Sequence, residues 1–185
     1  MLQMIIQGRG GQGAQLAGAL LAMAFFAEGR EGQSFATHGG ARRGTPGSSL
    51  LRVDDKPIRP GCDIEQGDAR LCFAAGPLEG RFLATATPRT LIVVNSRRPP
   101  EHFAKALPGY RVLPVDGLEI AQKNGLGRIV NSALLGALAC AVGSPALDTL
   151  EAAIAEEAPK NARENVAACV EGYRRIEGQL AKAAA

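Results

Sequence analysis

The sequence predicts a single three-layer α/β domain over residues 1–185, with a mixed, mostly parallel sheet, a glycine-rich first strand–helix turn and a helical C-terminal third. Three observations lead to this prediction. The apolar run 2–6 passes through a glycine cluster into a second apolar run, 14–27. Strand-like and helix-like segments then alternate to about residue 130. Beyond that point only helical segments follow, and no internal repeat occurs.

Composition and charge narrow the class of protein. A chain of 185 residues with 46% hydrophobic content is long enough to bury a sizeable core. A net charge of only +3, no Trp and 4% aromatic residues argue against nucleic-acid binding, which relies on basic stripes and stacking platforms. The four cysteines do not have zinc or iron–sulfur ligand spacing. The sequence contains no basic leader and no long apolar run, so we expect no membrane span and a cytoplasmic location.

The first half of the chain holds the elements nearest to the candidate chemistry. Helix 13–28 is apolar on nearly every face, which is typical of a helix that is buried or covered by a partner subunit. Strands 33–36 and 48–53 flank a loop over 37–47. Because only this loop separates the two strands, we expect them to pair antiparallel.

The second half alternates three further strands with helices and ends in helices alone. The predicted strands span 70–75, 90–95 and 110–115, and the predicted helices span 78–86, 101–107, 117–123, 131–142, 147–158 and 161–180.

The turn between the first strand and the first helix matches the spacing G-x-G-x-x-G, with the sequence Gly8-Arg9-Gly10-Gly11-Gln12-Gly13. Glycine suits such a turn because it lacks a Cβ and lets backbone N–H groups approach a ligand. The helix N-terminus behind it adds unpaired donors and the positive end of the helix dipole. Two interpretations stay open: a site for a phosphate or another anion, or a tight turn that only packs the helix on the strand.

The dinucleotide form of this motif requires an acidic residue about 20 positions further on, at the end of the second strand. No carboxylate stands there, since Glu28 and Glu31 precede the predicted strand 33–36. A free-standing NAD-dependent oxidoreductase is therefore a secondary hypothesis. A nucleotide-binding or purely structural interaction module is a further one.

The loop 37–47 is the second candidate for chemistry, because long loops in compact domains are often functional. We expect it to leave the sheet at the same edge as the glycine turn. Arg42 and Arg43, followed by Gly44, then face the same crevice, where a guanidinium can donate two parallel hydrogen bonds to phosphate or carboxylate. The alternative is that both arginines are solvated or pair with a neighbouring subunit. His38 suits a general base, or equally an orienting or interface group.

Asn131 stands at the start of the predicted helix 131–142. It either caps that helix or contacts a ligand.

Several runs in a fixed order closely resemble the γ subunit of the 2-oxoacid:acceptor oxidoreductases, of which pyruvate:ferredoxin oxidoreductase is the best-known member. These runs are the glycine turn, Arg42-Arg43-Gly44-Thr45-Pro46 and Arg52-Val53-Asp54-Asp55-Lys56-Pro57-Ile58. The later run Asn131-Ser132-Ala133-Leu134-Leu135-Gly136-Ala137 and the stretch from Lys160 through Asn165 to Gly172-Tyr173 are similar to the C-terminal half of that family. The resemblance covers nearly the whole chain, and the order and spacing of the motifs make it specific.

The resemblance implies a subunit that is inactive alone and belongs to an enzyme that oxidatively decarboxylates a 2-oxoacid to an acyl-CoA and CO2. It places thiamine diphosphate and the [4Fe–4S] clusters in partner subunits, namely thiamine-binding, α-type and ferredoxin-like ones, with ferredoxin or a similar protein as electron acceptor. This chain would complete the active-site cleft and, by hypothesis, help to hold CoA, whose phosphates suit the glycine turn and Arg42 or Arg43. The approach Thr37-His38-Gly39-Gly40 differs from the pyruvate type and partly resembles indolepyruvate relatives, so the resemblance leaves the 2-oxoacid open.

Overall fold

A computed structural model of the chain describes residues 1–37, 46–75, 86–158 and 160–184. The strands in these parts are β1 (Leu2–Arg9), β2 (Glu31–Thr37), β3 (Pro46–Asp54), β4 (Ala69–Cys72), β5 (Leu91–Asn95) and β6 (Arg111–Val115). The helices are α1 (Ala14–Ala27), α2 (Pro100–Ala106), α3 (Gly117–Lys123), α4 (Asn131–Val142), α5 (Leu147–Glu157) and α6 (Ala162–Ala184). Each predicted element within these ranges is present, whereas the predicted helix 78–86 lies almost wholly outside the described residues.

The six described strands form one sheet in the order β2-β3-β1-β4-β5-β6. β3 pairs antiparallel with both β2 and β1, and the remaining pairs are parallel, so five strands share one direction. The predicted antiparallel pairing of the second and third strands is confirmed. β3 also separates β2 from β1, with Arg9 opposite Pro46 at one end and Leu2 opposite Val53 at the other.

Helices cover one face of the sheet and a thinner layer covers the other, which gives the predicted three layers. In the main core, five helices (α1, α3, α4, α5 and α6) pack on this first face of the sheet. Phe25, Leu51, Val93 and Leu134 are fully buried there. On the second face, Phe103 of α2 packs on the buried side chains of Cys72, Ile92, Val94 and Val112. Nearer the antiparallel edge, Ile64 packs on Ile5 and Leu50.

The buried side chain of Arg52 attaches an irregular segment to this second face. Its guanidinium donates hydrogen bonds to the Gln33 Oε1 atom and to the backbone carbonyls of Pro60 and Cys62. It also lies 5.2 Å from the centroid of the Phe35 ring, a cation–π arrangement. Several neutral acceptors and an aromatic face thereby replace water around a charge that is 2% exposed.

The crossing of α4 and α6 depends on two glycines that face each other's helix. A Cβ built on Gly136 would lie 1.9 Å from the Cys169 carbonyl oxygen, and one built on Gly172 would lie 1.9 Å from that of Ala133. Both contacts are with backbone, which cannot move aside as a flexible side chain can. The two helices therefore approach closely only because both positions lack a side chain.

Substituting either glycine is expected to loosen this crossing. Gly136→Ala or Gly172→Ala should lower the free energy of unfolding by about 1–3 kcal/mol or more, because the added methyl group forces the helices apart. Gly178→Ala is the matched control on α6, since a Cβ there meets nothing within 4 Å. It should stabilise the chain by about 0.5–1 kcal/mol. Urea denaturation checks the prediction, and equal effects at positions 172 and 178 would contradict it.

A charged network joins α3 to α6 through Glu171. The carboxylate accepts hydrogen bonds from Lys123 Nζ at 2.9 Å, Asn124 Nδ2 at 3.2 Å and Arg175 Nη2 at 3.2 Å. Burial opposes ionisation of this carboxyl group, but the three donors outweigh burial and hold its pKa below the ordinary value of 4.5. The ionised form therefore stabilises the folded state.

This stabilisation has a defined pH dependence. Because the folded pKa is depressed, the contribution of Glu171 is fully present above 4.5 and is lost as the pH falls through the folded pKa. Glu171→Gln should therefore destabilise the chain at about pH 7 and much less at about pH 3. Urea titrations at both pH values measure this difference, with the exposed Glu156→Gln as control. The same loss at both pH values would show that the charge of Glu171 is not what stabilises the contact between α3 and α6.

Candidate functional site

A cleft of about 470 Å³ opens at the carboxyl edge of the sheet, where β1 and β4 lie side by side. The chain leaves β1 towards β2 and β3 on one side, whereas β4, β5 and β6 extend to the other. Ligands of open α/β sheets bind at such a switch point. The cleft is lined by Gly11, Gln12, Gly13, Phe73, Asn95, Leu118, Arg128, Ile129, Val130 and Asn131.

The glycine turn forms one wall of the cleft and is held closed by Gln12. The Gln12 side-chain oxygen accepts a hydrogen bond from the Arg9 backbone N–H at 2.7 Å, and the Gln12 N–H donates to the Arg9 carbonyl at 2.9 Å. Gly11 and Gly13 have φ values of 90° and 86°, the left-handed region that side chains disfavour. Gly11, Gln12 and Gly13 line the cleft, and the two glycines place no Cβ there.

Asn131 lies directly against this turn. A Cβ at Gly13 would sit 2.0 Å from Asn131 Nδ2, so the side chain occupies the space that glycine leaves. The interpretation of Asn131 as a helix cap is wrong, because Val130 is the N-cap of α4 and no side chain caps that helix. Within the described residues the Asn131 carboxamide makes no hydrogen bond, and it lines the cleft.

The electrostatics of the cleft favour an anion. The N-termini of α1 and α4 both border it, and neither has a side-chain cap or an acidic residue in its first turn. The other four described helices each carry a carboxylate there, which are Glu101, Glu119, Asp148 and Glu164. Among the described residues, no carboxylate lines the cleft, whereas the exposed Arg128 does. Two uncompensated positive helix ends and a guanidinium thus meet at one place.

Three residues that line the cleft were not among the predicted site residues. They are Asn95 and Phe73 at strand ends and Leu118 on α3. Asn95 ends β5, and its Oδ1 atom accepts from the Gly117 N–H at 2.9 Å while Nδ2 donates to the Phe73 carbonyl at 3.2 Å. Phe73, 2% exposed, and Leu118 are apolar parts of the lining. Asn95 thereby fixes α3 and the end of β4 relative to each other. The position of Asn95 at the end of an apolar strand was the one sequence signal available for it.

The other predicted site residues fall into two groups. Within the glycine turn, Gly8 is packed between Ala14, Gln12 and Phe73. Arg9 is exposed and Gly10 is partly buried. His38, Arg42, Arg43 and Gly44 lie outside the described residues. The ends of their loop are described: β3 begins at Pro46, opposite Arg9, so the loop leaves the sheet at the edge that carries the cleft.

The described cysteines are free thiols and are poor nucleophiles where they are buried. Burial raises the pKa of the Cys72 thiol and raises that of Cys169 to about 12. The described residues contain no cluster of three His, Cys, Asp or Glu side chains able to hold a metal ion. In the same parts of the chain, no helix is long and apolar enough to span a membrane.

Comparison with known proteins shows the family to which this chain belongs. The model of the family described as pyruvate ferredoxin/flavodoxin oxidoreductase matches residues 3–175. The common subunit gamma of the pyruvate/ketoisovalerate oxidoreductases of Thermococcus kodakarensis is 36% identical over 160 residues, which cover 84% of this chain and 86% of that protein.

Two solved structures share the fold. The pyruvate oxidoreductase subunit PORC of Thermotoga maritima has a TM-score of 0.80 at 26% identity, and the match covers 94% of this chain and 95% of that one. The 2-oxoglutarate:ferredoxin oxidoreductase of Magnetococcus marinus, solved with 2-oxoglutarate, coenzyme A and succinyl-CoA bound, has a TM-score of 0.73 at 22% identity. That match covers 98% of this chain but 31% of the other.

The fold and the matched relatives define an α/β subunit of a larger oxidoreductase. The chain belongs to the pyruvate ferredoxin/flavodoxin oxidoreductase family. The predicted γ-type subunit of a 2-oxoacid oxidoreductase is thereby confirmed.

The starts of α4 and α3, at Asn131 and Asp116, are expected to differ in how much a substitution lowers the free energy of unfolding. Asn131→Ala should change the free energy of unfolding by less than about 0.5 kcal/mol, because no cap is lost. Asp116→Ala should cost about 1 kcal/mol, since Asp116 Oδ1 accepts from the Glu119 N–H at 3.0 Å and caps α3. Chemical denaturation of both variants makes the comparison. An equal cost would restore the capping role of Asn131.

Proposed function

We propose that this chain completes the active-site cleft of a multisubunit 2-oxoacid:acceptor oxidoreductase and holds the phosphates of CoA at the cleft between α1 and α4. The enzyme converts a 2-oxoacid to an acyl-CoA and CO2, and its electrons pass to ferredoxin or a similar acceptor. Thiamine diphosphate and [4Fe–4S] clusters belong to thiamine-binding, α-type and ferredoxin-like partner subunits. The chain acts as one domain over residues 1–185, in the cytoplasm.

One observation supports the CoA site most directly. Of the described helices, α1 and α4 alone lack a carboxylate in the first turn, and theirs are the helix ends that border the cleft beside Arg128. A diphosphate or a 3′-phosphate, both present in CoA, suits such an arrangement. The volume of about 470 Å³ accommodates part of such a ligand. When bound, CoA supplies the thiol that accepts the acyl group.

The residues divide the work as follows. The N–H groups at the start of α1 donate to phosphate oxygens, and the Asn131 carboxamide adds a side-chain donor next to them. Arg128 supplies charge at the rim. Arg42 and Arg43 are proposed as further phosphate ligands and His38 as an orienting group or base, since β3, which follows them in the sequence, begins at the same edge.

The experiment uses the enzyme isolated under anaerobic conditions from its native host, with 2-oxoacid-dependent and CoA-dependent reduction of a viologen dye as the assay. Co-purification of a thiamine protein and iron–sulfur subunits with that activity supports the proposed enzyme. Varying the 2-oxoacid among pyruvate, 2-oxoglutarate, branched-chain, indolepyruvate and arylglyoxylate types then identifies the substrate. A chain that purifies alone and has no activity would refute the proposal.

The cleft itself is tested by side-chain removal in that complex. Arg128→Ala should raise the KM for CoA about tenfold, because a charge-assisted contact is lost, and leave the KM for the 2-oxoacid unchanged. Asn131→Ala, Arg42→Ala and Arg43→Ala should shift the KM for CoA in the same direction. Arg174→Ala, an exposed arginine of α6 that does not line the cleft, is the control. A KM for CoA that is unchanged in all four variants would leave the chain a purely structural subunit.

A further inference from the structure

We infer that the exposed face of α1 is a docking surface for a larger subunit of the same oxidoreductase, an inference that rests on the proposed function. This face, the α1 stripe, consists of Leu16, Ala19, Met23 and Phe26, which follow one another at helical spacing on one side of the helix. The exposed fractions are 46% for Leu16, 36% for Met23 and 72% for Phe26.

The α1 stripe differs from ordinary surface apolar residues, which are scattered singly. The whole helix, Ala14–Ala27, contains no charged side chain. Its opposite side fills the main core with Leu21 and Phe25. A surface helix normally turns a polar face to water, so an apolar outer face is typical of a helix that is covered in the assembly.

The α1 stripe is continuous with the candidate site. Leu16 lies one turn after Gly13, whose neighbours form the wall of the cleft. Ile129, which is 50% exposed, lies on the cleft lining on the α4 side. A body seated on the stripe therefore reaches the mouth of the cleft, which the proposed function requires of a catalytic partner.

The α1 stripe is too small to form a complete interface by itself, with a second copy of this chain or with any other partner. A helix of 14 residues is about 21 Å long, and a stripe about 10 Å wide gives roughly 200 Å². A stable interface buries about 800 Å² on each partner. Two copies meeting stripe to stripe would fall well short of this, so the stripe is one part of a wider interface.

The size of the occupant follows from the longer structural neighbour. The fold of this chain matches 31% of the Magnetococcus marinus chain, so there the same architecture is joined to a body more than twice its size. A body of that size can cover the stripe and the cleft mouth together. We therefore assign the stripe to an apolar surface of the subunit that corresponds to this body.

A matched pair of variants tests the inference in the complex isolated from the native host. Ala19→Glu places a charge at the centre of the α1 stripe, and Ala104→Glu places the same charge on α2, on the other face of the sheet; both alanines are exposed on helices. Ala19→Glu should weaken binding of the larger subunit by about tenfold or more, measured by dissociation on dilution, and Ala104→Glu should leave it unchanged. A photoreactive p-benzoylphenylalanine at position 26 should crosslink to the larger subunit.

The outcomes separate this inference from the function on which it rests. Equal binding by Ala19→Glu and Ala104→Glu, or a crosslink from position 26 to a second copy of this chain, would overturn the stripe as a docking surface while the oxidoreductase assignment stands. A wild-type chain that purifies without a larger subunit would overturn both. Thermal unfolding of the two variants confirms that neither result comes from a chain that fails to fold.

Discussion

The position of the cleft depends on one contact, that of Gly13 with Asn131. Gly13 precedes α1 and Asn131 begins α4, far apart in the sequence, and the two helix starts meet because position 13 has no Cβ to displace Asn131 Nδ2. The far end of α1 is held by a second long-range contact, in which Glu28 accepts a 2.6 Å hydrogen bond from the Ala146 N–H at the start of α5. The helix is thus fixed to the C-terminal third at both ends. Carboxylates lie at the start of α5, namely Glu28 and Asp148, whereas the first turns of α1 and α4 at the cleft contain none.

The place of β3 explains why the glycine motif does not mark a dinucleotide site here. In a dinucleotide-binding unit the strand after the first helix lies beside β1 and supplies the acidic ribose ligand. In this chain β3 occupies that position and runs in the opposite direction, and β2 is displaced to the edge of the sheet. The proposed phosphate site does not require that strand, because it uses only the turn and the helix end. The part of the site that would recognise a nicotinamide nucleotide has no counterpart at the usual position.

The local elements were predictable because their signals are local. Apolar runs bounded by Gly and Pro identified the described strands, and the bounds of α3 and α4 agree with the prediction. The short connection between β2 and β3 predicted their pairing. The insertion of β3 beside β1 was not predicted, since no feature of either strand specifies a neighbour. For the same reason Arg128, Asn95 and Phe73 were missed: each is unremarkable in its own segment, and only the folded chain brings them together.

The uniform apolarity of the first helix predicts either a buried helix or one covered by a partner. In the structure one side of α1 is buried in the core, and the other side is exposed. Leu21 and Phe25 belong to the core, whereas Leu16 and Phe26 are exposed. The N-terminus of the same helix borders the cleft, so a subunit on the α1 stripe would also reduce the access of water to that end. Charge interactions strengthen as water is excluded. Docking of a larger subunit on the stripe and retention of an anionic ligand in the cleft would therefore favour each other, and such a coupling would act equally in both directions.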